Sequence, residues 1–173
     1  SQQPNFGSAD LSSLRQIVCG GAPVPEPLMR VYEQRGVPIN QGYGLTETAP
    51  MVTFLTPEWG LAKIGSAGRT PMFSEVQIVD VDGHRITRPG EKGEVITRGP
   101  NIMKGYWNKP AETAAAIDTE GWFHTGDIGY LDTDGFLFIA DRLKDMIVTG
   151  GANVFPAEVE SVLYEHAAIA EIA

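Results

Sequence analysis

Residues 14–44 of the chain read LRQIVCGGAPVPEPLMRVYEQRGVPINQGYG, and the order of elements in them indicates the fold class. The apolar run Leu14–Cys19 ends before two glycines, which is typical of a short buried strand. Three prolines then open a predicted helix, because proline is tolerated in a first helical turn, and Gly36 is expected to end it. The run Val37–Asn40 predicts a second short strand.

The two predicted strands are expected to be parallel neighbours, because a strand–helix–strand connection returns the chain in the same direction. Two glycine-bearing loops, Gly20–Pro23 and Gly42–Gly44, then follow the carboxyl ends of those strands. That edge is where open α/β sheets bind ligands. The sequence therefore predicts a binding site at these loops.

The rest of the chain has a different pattern. Between residues 61 and 140, short strand-like runs alternate with turns rich in Gly, Asp and Pro, which predicts a small antiparallel barrel or sandwich with a hairpin around Asp132–Gly135. The charged stretch Asp141–Asp145 is interpreted as a linker, followed by a strand pair across two glycines and a helix from Pro156. The chain is thus predicted to be α+β in three parts: residues 1–60 with a partial parallel α/β unit, residues 61–140 with a β-barrel-like subdomain, and residues 141–173 with a strand pair and a helix.

Composition and charge narrow the function classes. The chain of 173 residues is 42% hydrophobic and carries a formal net charge of −9. Its basic residues form no cluster, which argues against nucleic acid or an anionic membrane as the main partner. No apolar run approaches the roughly 20 residues of a membrane span. Any nucleotide phosphate must then be held by backbone amides, a metal ion or a few placed side chains.

Cysteine usage and the chain ends bear on the compartment. Cys19 is the only cysteine, so neither a disulfide within the chain nor a cysteine-based metal site is expected. The first residues carry no secretory pattern, and we expect a cytoplasmic protein.

The final run Ala168–Ala173 has the pattern of a strand with no turn after it, and the first ten residues carry no clear element. We therefore expect an internal fragment of a longer chain.

The motif Gly42–Glu47 offers the chemistry of a nucleotide site. Its glycines let backbone amides approach a ligand, Tyr43 presents a flat ring to a base, and Thr46 presents a hydroxyl to a phosphate. Glu47 offers a hard carboxylate oxygen to Mg²⁺. A glycine-rich turn capped by Thr46 and Glu47 accounts for the same residue types equally well. The motif is neither the three-glycine dinucleotide fingerprint nor a Gly-Lys-Ser/Thr phosphate loop.

Two further side chains are candidates for holding a nucleoside. Asp127 can accept charge-assisted hydrogen bonds from ribose hydroxyls, or can cap a turn. Arg142 carries a planar donor fork suited to ribose or phosphate oxygens, or forms a surface ion pair with Asp141 or Asp145. His124 is expected to be structural. The residues expected in the core are Trp107, Trp122, Phe136, Phe138 and Cys19.

A series of motifs in this chain resembles those of the adenylate-forming superfamily, which contains acyl-CoA synthetases, luciferases and peptide-synthetase adenylation domains. The motifs occur in the same order as in that superfamily. Gln41–Thr48, read as QGYGLTET, resembles its central signature. The other matches are Gly20–Pro23, similar to its adenine-side loop; Gly93–Val95 with Gly99–Pro110, similar to its glycine–tyrosine segment; Trp122–Asp127, similar to its ribose-binding motif; and Asp141–Asp145 with Gly150–Val154, similar to its hinge and the loop after it.

The resemblance covers the chain from about Leu14 to its end and implies a fragment of the acyl-CoA synthetase fold. Residues 1–60 would be the C-terminal part of the adenylate-binding α/β subdomain, and residues 61–140 its β-barrel subdomain. Residues 141–173 would be the hinge and the start of a truncated lid domain.

The resemblance implies an ATP-dependent acid–CoA ligase that uses ATP, Mg²⁺ and CoA. A carboxylic acid attacks the α-phosphate of ATP to give an acyl-adenylate and pyrophosphate, and the CoA thiol then displaces AMP. The implied catalytic residues are Thr46, Glu47 as the Mg²⁺ ligand, and Lys144 at the hinge, while Gly150 and Gly151 line the approach of CoA. The implied nucleotide contacts are Gly21, Ala22, Pro23, Gln41, Gly42, Tyr43, Gly44, Leu45, Thr46, Asp127 and Arg142.

The motifs indicate the branch of the superfamily and the acid substrate less specifically than they indicate the superfamily itself. The stretch Gly150–Glu160 resembles fatty- and aryl-acid CoA ligases, so fatty acid metabolism is an expected context. Residues 48–52 are expected to line part of the acid pocket and, being mostly small or apolar, favour a nonpolar acyl or aryl tail. Alternatives are an amino-acid or aryl-acid adenylation domain that loads a carrier protein, a luciferase-like oxygenase, a non-catalytic nucleotide-binding module and an unrelated β-barrel.

The family's phosphate loop and its C-terminal catalytic lysine have no equivalent in residues 1–173. These residues alone are therefore expected to bind nucleotide weakly and not to turn over.

Overall fold

The computed structural model describes residues 4–22, 24–60, 62–149, 152–164, 166 and 168–169. Among these residues, no helix has the length and apolar character that crossing a membrane requires. The elements in chain order are β1 (Ile17–Gly20), α1 (Glu26–Gln34), β2 (Ile39–Tyr43), β3 (Thr53–Phe54), β4 (Glu75–Val79), β5 (Arg85–Ile86), β6 (Gly93–Arg98), α2 (Pro110–Ala116), β7 (Phe123–Leu131), β8 (Leu137–Arg142), β9 (Ile147–Thr149), β10 (Ala152–Val154) and α3 (Pro156–Tyr164), with 3₁₀ turns at Phe6–Ser8, Thr46–Thr48 and Pro57–Trp59.

The first sheet contains the predicted parallel unit. β1 and β2 run parallel, from Ile17 opposite Ile39 to Gly20 opposite Gly42, and β3 pairs antiparallel with β2. Helix α1 connects β1 to β2, and Gly36 follows it with φ of 73°, the left-handed backbone that commonly ends a helix. The prediction is confirmed, although both strands begin two or three residues later than expected.

A hydrophobic cluster under α1 joins the first sheet to the hairpin of the second. Its fully enclosed members are Met29, Ile39, Leu55 and Phe136, each at most 4% exposed. Phe136 lies directly before β8, so the cluster fixes that strand against β2. Cys19 packs partly buried against the same cluster, as predicted.

The aromatic residues expected in the core divide into two groups. Trp122 and Phe136 are buried, and Phe138 packs partly buried against the first cluster, as predicted. Trp107 is 89% exposed, so the prediction that it lies in the core is wrong. The reason is its position in a surface turn directly before α2, where no second layer covers it among the described residues.

The second sheet has five antiparallel strands in the order β5–β4–β6–β7–β8. Antiparallel pairing is confirmed, but the described residues form an open sheet and not the expected barrel-like arrangement. A barrel requires its two edge strands to pair, whereas β5 is two residues long and pairs with β4. The outer edge of β8 is bonded instead by residues 66–68: the Ala67 amide donates to the Leu137 carbonyl at 2.7 Å, and the Leu137 amide donates to the Gly68 carbonyl at 2.8 Å.

The predicted hairpin around Asp132–Gly135 is confirmed, with β7 and β8 as its antiparallel arms. β7 begins at Phe123, and β8 continues through Arg142. Asp141 and Arg142 therefore belong to a strand, and the prediction of a linker is wrong for them. The break in regular structure is a short turn at residues 143–145.

A bulge near the open end of this hairpin sets the pairs that follow it. The register shifts between Ile128 and Gly129 of β7, where β8 carries one extra residue. Beyond the shift, Asp127 of β7 lies directly opposite Arg142 of β8. Since a bulge re-aims the side chains next to it, this shift helps decide where Arg142 points.

Residues 147–164 contain the predicted strand pair and helix. β9 pairs antiparallel with β10, while Gly150 and Gly151, expected to turn between them, lie outside the described residues. Phe155 is 8% exposed, and the Lys92 ammonium lies 4.3 Å from the centre of its ring. This cation–π contact attaches the last segment to the turn before β6.

We expect Leu137→Ala to lower the free energy of unfolding by about 2 to 5 kcal/mol, because Leu137 is 0% exposed and packs with Ile78 and Val95. Val81→Ala is the matched control, since Val81 is 96% exposed and its truncation should stay within about 0.5 kcal/mol. Urea unfolding followed by tryptophan fluorescence measures both variants. Equal losses would contradict the packing described for the second sheet.

Candidate functional site

A cavity of about 960 Å³ opens between the first sheet and the open end of the β7–β8 hairpin. Gly20 and Gly42, paired at the carboxyl ends of the parallel strands, line one side. Asp127 and Arg142, paired at the hairpin end, also line the cavity. The predicted position of a site at the carboxyl edge of the parallel strands therefore coincides with a concave surface.

The turn after β2 has a shape fixed by its own hydrogen bonds. The Leu45 amide donates to the Thr48 hydroxyl oxygen at 3.0 Å, and that hydroxyl lies 2.8 Å from the Pro50 carbonyl oxygen. The side-chain amide of Asn101 donates to the carbonyl oxygens of Thr48 at 2.8 Å and Met51 at 2.9 Å. The turn is therefore held from within and from a distant segment.

Gly44 is required by a close approach of two backbone segments. A Cβ at this position would lie 1.6 Å from the carbonyl oxygen of Pro50, which is far inside contact distance. Because the obstacle is backbone, a side chain at Gly44 would displace the turn itself. This steric demand explains one glycine of the predicted motif without reference to a ligand.

Tyr43, Asp127 and Arg142 lie together, as the nucleoside hypothesis requires. The Tyr43 hydroxyl donates to Oδ2 of Asp127 at 2.5 Å, and Nε of Arg142 lies 3.7 Å from Oδ1 of the same carboxylate. Arg142 thus lies within ion-pair distance of Asp127, whereas the alternative interpretation had paired it with Asp141 or Asp145. Tyr43 itself lies behind the carboxylate and does not line the cavity.

Burial dominates the electrostatics of this group. Asp127 is 7% exposed, and its desolvation raises the pKa of its carboxyl above the usual value. The hydrogen bond from Tyr43 and the charge of Arg142 oppose the increase in this pKa, and Glu94 adds to it. Burial, and then the neighbouring carboxylate, raise the pKa of Tyr43 far above its ordinary value, so its hydroxyl remains a donor.

The turn that carries Asp127 is held by Glu94, which lies in the matched stretch Gly93–Val95 but was not predicted as a site residue. One carboxylate oxygen accepts from the Gly126 amide at 3.2 Å, and the other lies 2.8 Å from Nδ1 of His124. His124 is thus structural, as expected. The Thr125 hydroxyl donates to the Val95 carbonyl at 2.7 Å and completes the support.

Glu47 is the residue whose donor chemistry suits a divalent cation. It lines the cavity, and its Oε1 accepts a hydrogen bond from the Tyr106 hydroxyl at 3.0 Å. Its Oε2 accepts no hydrogen bond from the described residues. A cavity-facing carboxylate with one unengaged oxygen fits Mg²⁺, which binds one or two carboxylates and otherwise keeps waters and substrate phosphates.

Most of the predicted site residues that the structure describes lie on the cavity wall. Ala22 is exposed outside it, whereas buried Gln41 accepts a hydrogen bond from the Val24 amide and donates to the Ser66 carbonyl at 3.2 Å. Pro23, Gly150 and Gly151 lie outside the described residues. The predicted residues on the wall are Gly21, Gly42, Gly44, Leu45, Thr46, Glu47, Asp127, Arg142 and Lys144.

Of residues 48–52, which were expected to line part of an acid pocket, Pro50 and Met51 line this cavity, whereas Thr48 and Val52 are fully buried and do not. Four further wall residues were not predicted as site residues: Gly20, Thr125, Gly126 and Leu143. All four lie within motifs that the sequence analysis had already singled out.

The chain belongs to the AMP-binding enzyme family, whose model matches residues 1–107. It is also similar to a feruloyl-CoA synthase from Amycolatopsis sp, with 51% identity over 161 residues, which are 93% of this chain and 32% of that protein.

Two solved structures of the o-succinylbenzoate CoA synthetase (MenE) from Bacillus subtilis are similar in fold and sequence. Each is 45% identical, with 91% of this chain and 32% of that chain covered. The TM-score is 0.84 for the complex with the acyl-adenylate intermediate OSB-AMP and 0.83 for the complex with ATP and a magnesium ion. The chain thus spans about a third of the length of these relatives.

Asp127→Asn should change how stability depends on pH. The folded state holds the proton of Asp127 more tightly than the unfolded state, whose aspartate has a pKa near 3.8, so the wild type loses stability as pH rises from that value through the raised pKa. The variant lacks this loss. Urea unfolding across a pH series should therefore show that the free energy of unfolding of the variant, relative to that of the wild type, increases as pH rises through this window.

Asp132→Asn is the control with the opposite sign. Burial raises the pKa of Asp132, but hydrogen bonds from Lys63 and from backbone amides outweigh it and hold that pKa below the usual range. The wild type therefore loses the contribution of Asp132 as pH falls below the ordinary aspartate value. The same slope in both variants would contradict the assignments.

Proposed function

We propose that the protein to which this chain belongs is an ATP-dependent acid–CoA ligase. It joins a carboxylic acid to AMP with release of pyrophosphate and then transfers the acyl group to the thiol of CoA, releasing AMP. The observation that carries the proposal is that the Gly42–Glu47 motif, Asp127 and Arg142 all reach one cavity at the carboxyl edge of parallel strands. Family membership and the similarity to CoA ligases support it.

In this proposal the nucleoside of ATP lies between the two sides of the cavity. Asp127 accepts hydrogen bonds from the ribose hydroxyls, and Arg142 donates to ribose or phosphate oxygens. Gly21, Gly42 and Gly44 bring backbone close to the base and sugar. The other residues proposed for the nucleotide site are Ala22, Pro23, Gln41, Tyr43, Leu45 and Thr46. Gln41 and Tyr43 do not line the cavity, so their proposed effect is through the residues that they hold.

The phosphates need local charge neutralisation, because the chain carries a net charge of −9. Glu47 would hold Mg²⁺, and Thr46 would donate its hydroxyl to a phosphate oxygen. When bound, Mg²⁺ neutralises phosphate charge and orients the α-phosphate for attack. Asp127 and Arg142 fix the sugar, so that the acid and the α-phosphorus are held in one alignment.

The end of β8 and the turn after it are proposed as the hinge. Lys144 lies in this turn and lines the cavity. In the proposed arrangement residues 1–60 and 61–140 carry the nucleotide, and residues 141–173 begin a lid. Gly150 and Gly151 are the residues proposed for the approach of CoA. The Leu143 amide donates to the Gly126 carbonyl at 2.8 Å, so the turn begins in contact with the loop that carries Asp127.

The acid is proposed to have an apolar acyl or aryl body. Pro50 and Met51 add apolar side chains to the cavity wall that also contains Thr46 and Glu47, the residues proposed for the phosphates and Mg²⁺. The relatives described above bear the names of aromatic acids, so a restriction to fatty acid metabolism is not part of the proposal. We propose the cytoplasm as the compartment in which ATP and CoA are supplied.

Asp127→Ala should weaken binding of AMP by about 10- to 100-fold, because it removes charge-assisted hydrogen bonds worth about 1.5 to 3 kcal/mol. Isothermal titration calorimetry of the full-length protein with AMP measures the change. Asp82→Ala is the matched control, since it removes an exposed carboxylate outside the cavity lining. Unchanged AMP affinity in Asp127→Ala would overturn the proposed site.

The full-length protein should release AMP only when an acid, ATP and CoA are all present. A panel of aryl and fatty acids, read out by AMP release and thioester formation, identifies the substrate. Acid-dependent pyrophosphate exchange without CoA-dependent AMP release would instead indicate an adenylation domain that serves a carrier protein. AMP binding with no exchange for any acid would indicate a non-catalytic nucleotide-binding module.

A further inference from the structure

Tyr106 makes a contact at the cavity that the sequence motifs do not predict. Its hydroxyl donates to Oε1 of Glu47 at 3.0 Å, across 59 positions of sequence. Tyr106 belongs to the glycine–tyrosine segment after β6, a stretch to which the proposed function has so far given no role. Tyr106 is not itself part of the cavity lining, whereas Glu47 is.

The position of Tyr106 is fixed by the start of α2. Its amide donates to Oγ1 of Thr113 at 2.9 Å, and the Thr113 hydroxyl donates to the Lys109 carbonyl at 2.8 Å. A Cβ on Gly105, which has φ of 140°, would lie 2.7 Å from Cγ2 of Thr113. The residue before Tyr106 is therefore packed tightly against the same threonine, and the ring extends from an anchored backbone.

The same segment also holds the backbone of the turn that carries Glu47. The Met103 amide donates to the Glu47 carbonyl oxygen at 2.8 Å. The side chain of Asn101 binds the carbonyl oxygens of Thr48 and Met51, as described above. Residues 101–106 thus hold the main chain of Glu47, the residues after it and one of its carboxylate oxygens.

We propose that Tyr106 is a positioning residue that orients the carboxylate of Glu47 for the divalent cation of the nucleotide substrate. The inference rests on the proposed function, in which Glu47 holds that cation. The Tyr106 hydroxyl uses one acceptor position of Oε1 and leaves Oε2 for the cation. Carboxylates that bind metals are themselves hydrogen-bonded, and loss of such a partner lowers metal affinity or activity by about 10- to 100-fold.

A purely structural role predicts a different result from this positioning role. Glu47 lines the open cavity and is only partly buried, so removal of the Tyr106 hydroxyl leaves no fully enclosed unpaired oxygen. The backbone bonds of residues 101–106 do not use that hydroxyl and remain in Tyr106→Phe. The substitution therefore separates the orientation of the Glu47 carboxylate from the shape of the turn.

The test measures binding of α,β-methylene-ATP, a non-hydrolysable ATP analogue, to the full-length protein by calorimetry. Titrations are run in EDTA and at increasing Mg²⁺ concentration. We expect Tyr106→Phe to raise the Mg²⁺ concentration that gives half of the metal-dependent gain in affinity by about 10-fold, with unchanged affinity in EDTA. Tyr32→Phe, which removes a hydroxyl on α1 outside the cavity lining, should change neither value.

A double-mutant cycle with Glu47→Gln makes the test specific. If Tyr106 acts through the Glu47 carboxylate, then Tyr106→Phe adds no further increase in the half-saturating Mg²⁺ concentration once Glu47 is replaced. An unchanged Mg²⁺ dependence in Tyr106→Phe alone overturns the inference and leaves the proposed function standing. The inference is also overturned if Tyr106→Phe weakens binding of the analogue equally in EDTA and in Mg²⁺ and lowers the melting temperature, because that result assigns Tyr106 a structural role. Failure of the wild type to bind the analogue at any Mg²⁺ concentration overturns both.

Discussion

The hydrogen bond between Tyr43 and Asp127 is the constraint on which the site depends. It joins β2 of the first sheet to β7 of the second across 84 positions of sequence, and it supplies a buried carboxylate with the donor that burial demands. Tyr43 therefore supports the cavity wall through its hydrogen bond to Asp127 without lining the cavity itself, whereas Asp127 does line it. Arg142 lies directly opposite Asp127 in the β7–β8 hairpin, so its position is tied to that of Asp127.

The elements that local sequence rules could predict are those whose determinants are close in the chain. The parallel pair β1–β2 followed from a strand–helix–strand pattern ended by Gly36, and the hairpin β7–β8 followed from the turn Asp132–Gly135. In both cases a short stretch contains the signal and the structure that it specifies. The placement of Glu47 and Asp127 at one cavity did not follow from such local rules, and was predicted only from the resemblance to the adenylate-forming superfamily.

What the sequence could not provide are contacts between distant segments. The role of Glu94 behind Asp127 and that of Tyr106 behind Glu47 each depend on side chains that meet only after the sheets assemble. The barrel was wrongly expected for the same reason, since strand count and turn type do not say that residues 66–68 occupy the free edge of β8. Exposed Trp107 shows that an aromatic residue alone does not identify a core position.

The bulge in the β7–β8 hairpin has a consequence for how this protein can vary among its relatives. The side chain of Arg142 is directed by the number of residues between the turn and the end of β8 as well as by its contacts. Deleting one residue from that arm would flip every following side chain to the opposite face. Substitutions along the arm should therefore be tolerated in evolution far more readily than insertions or deletions, and the length of the hairpin should be its least variable property.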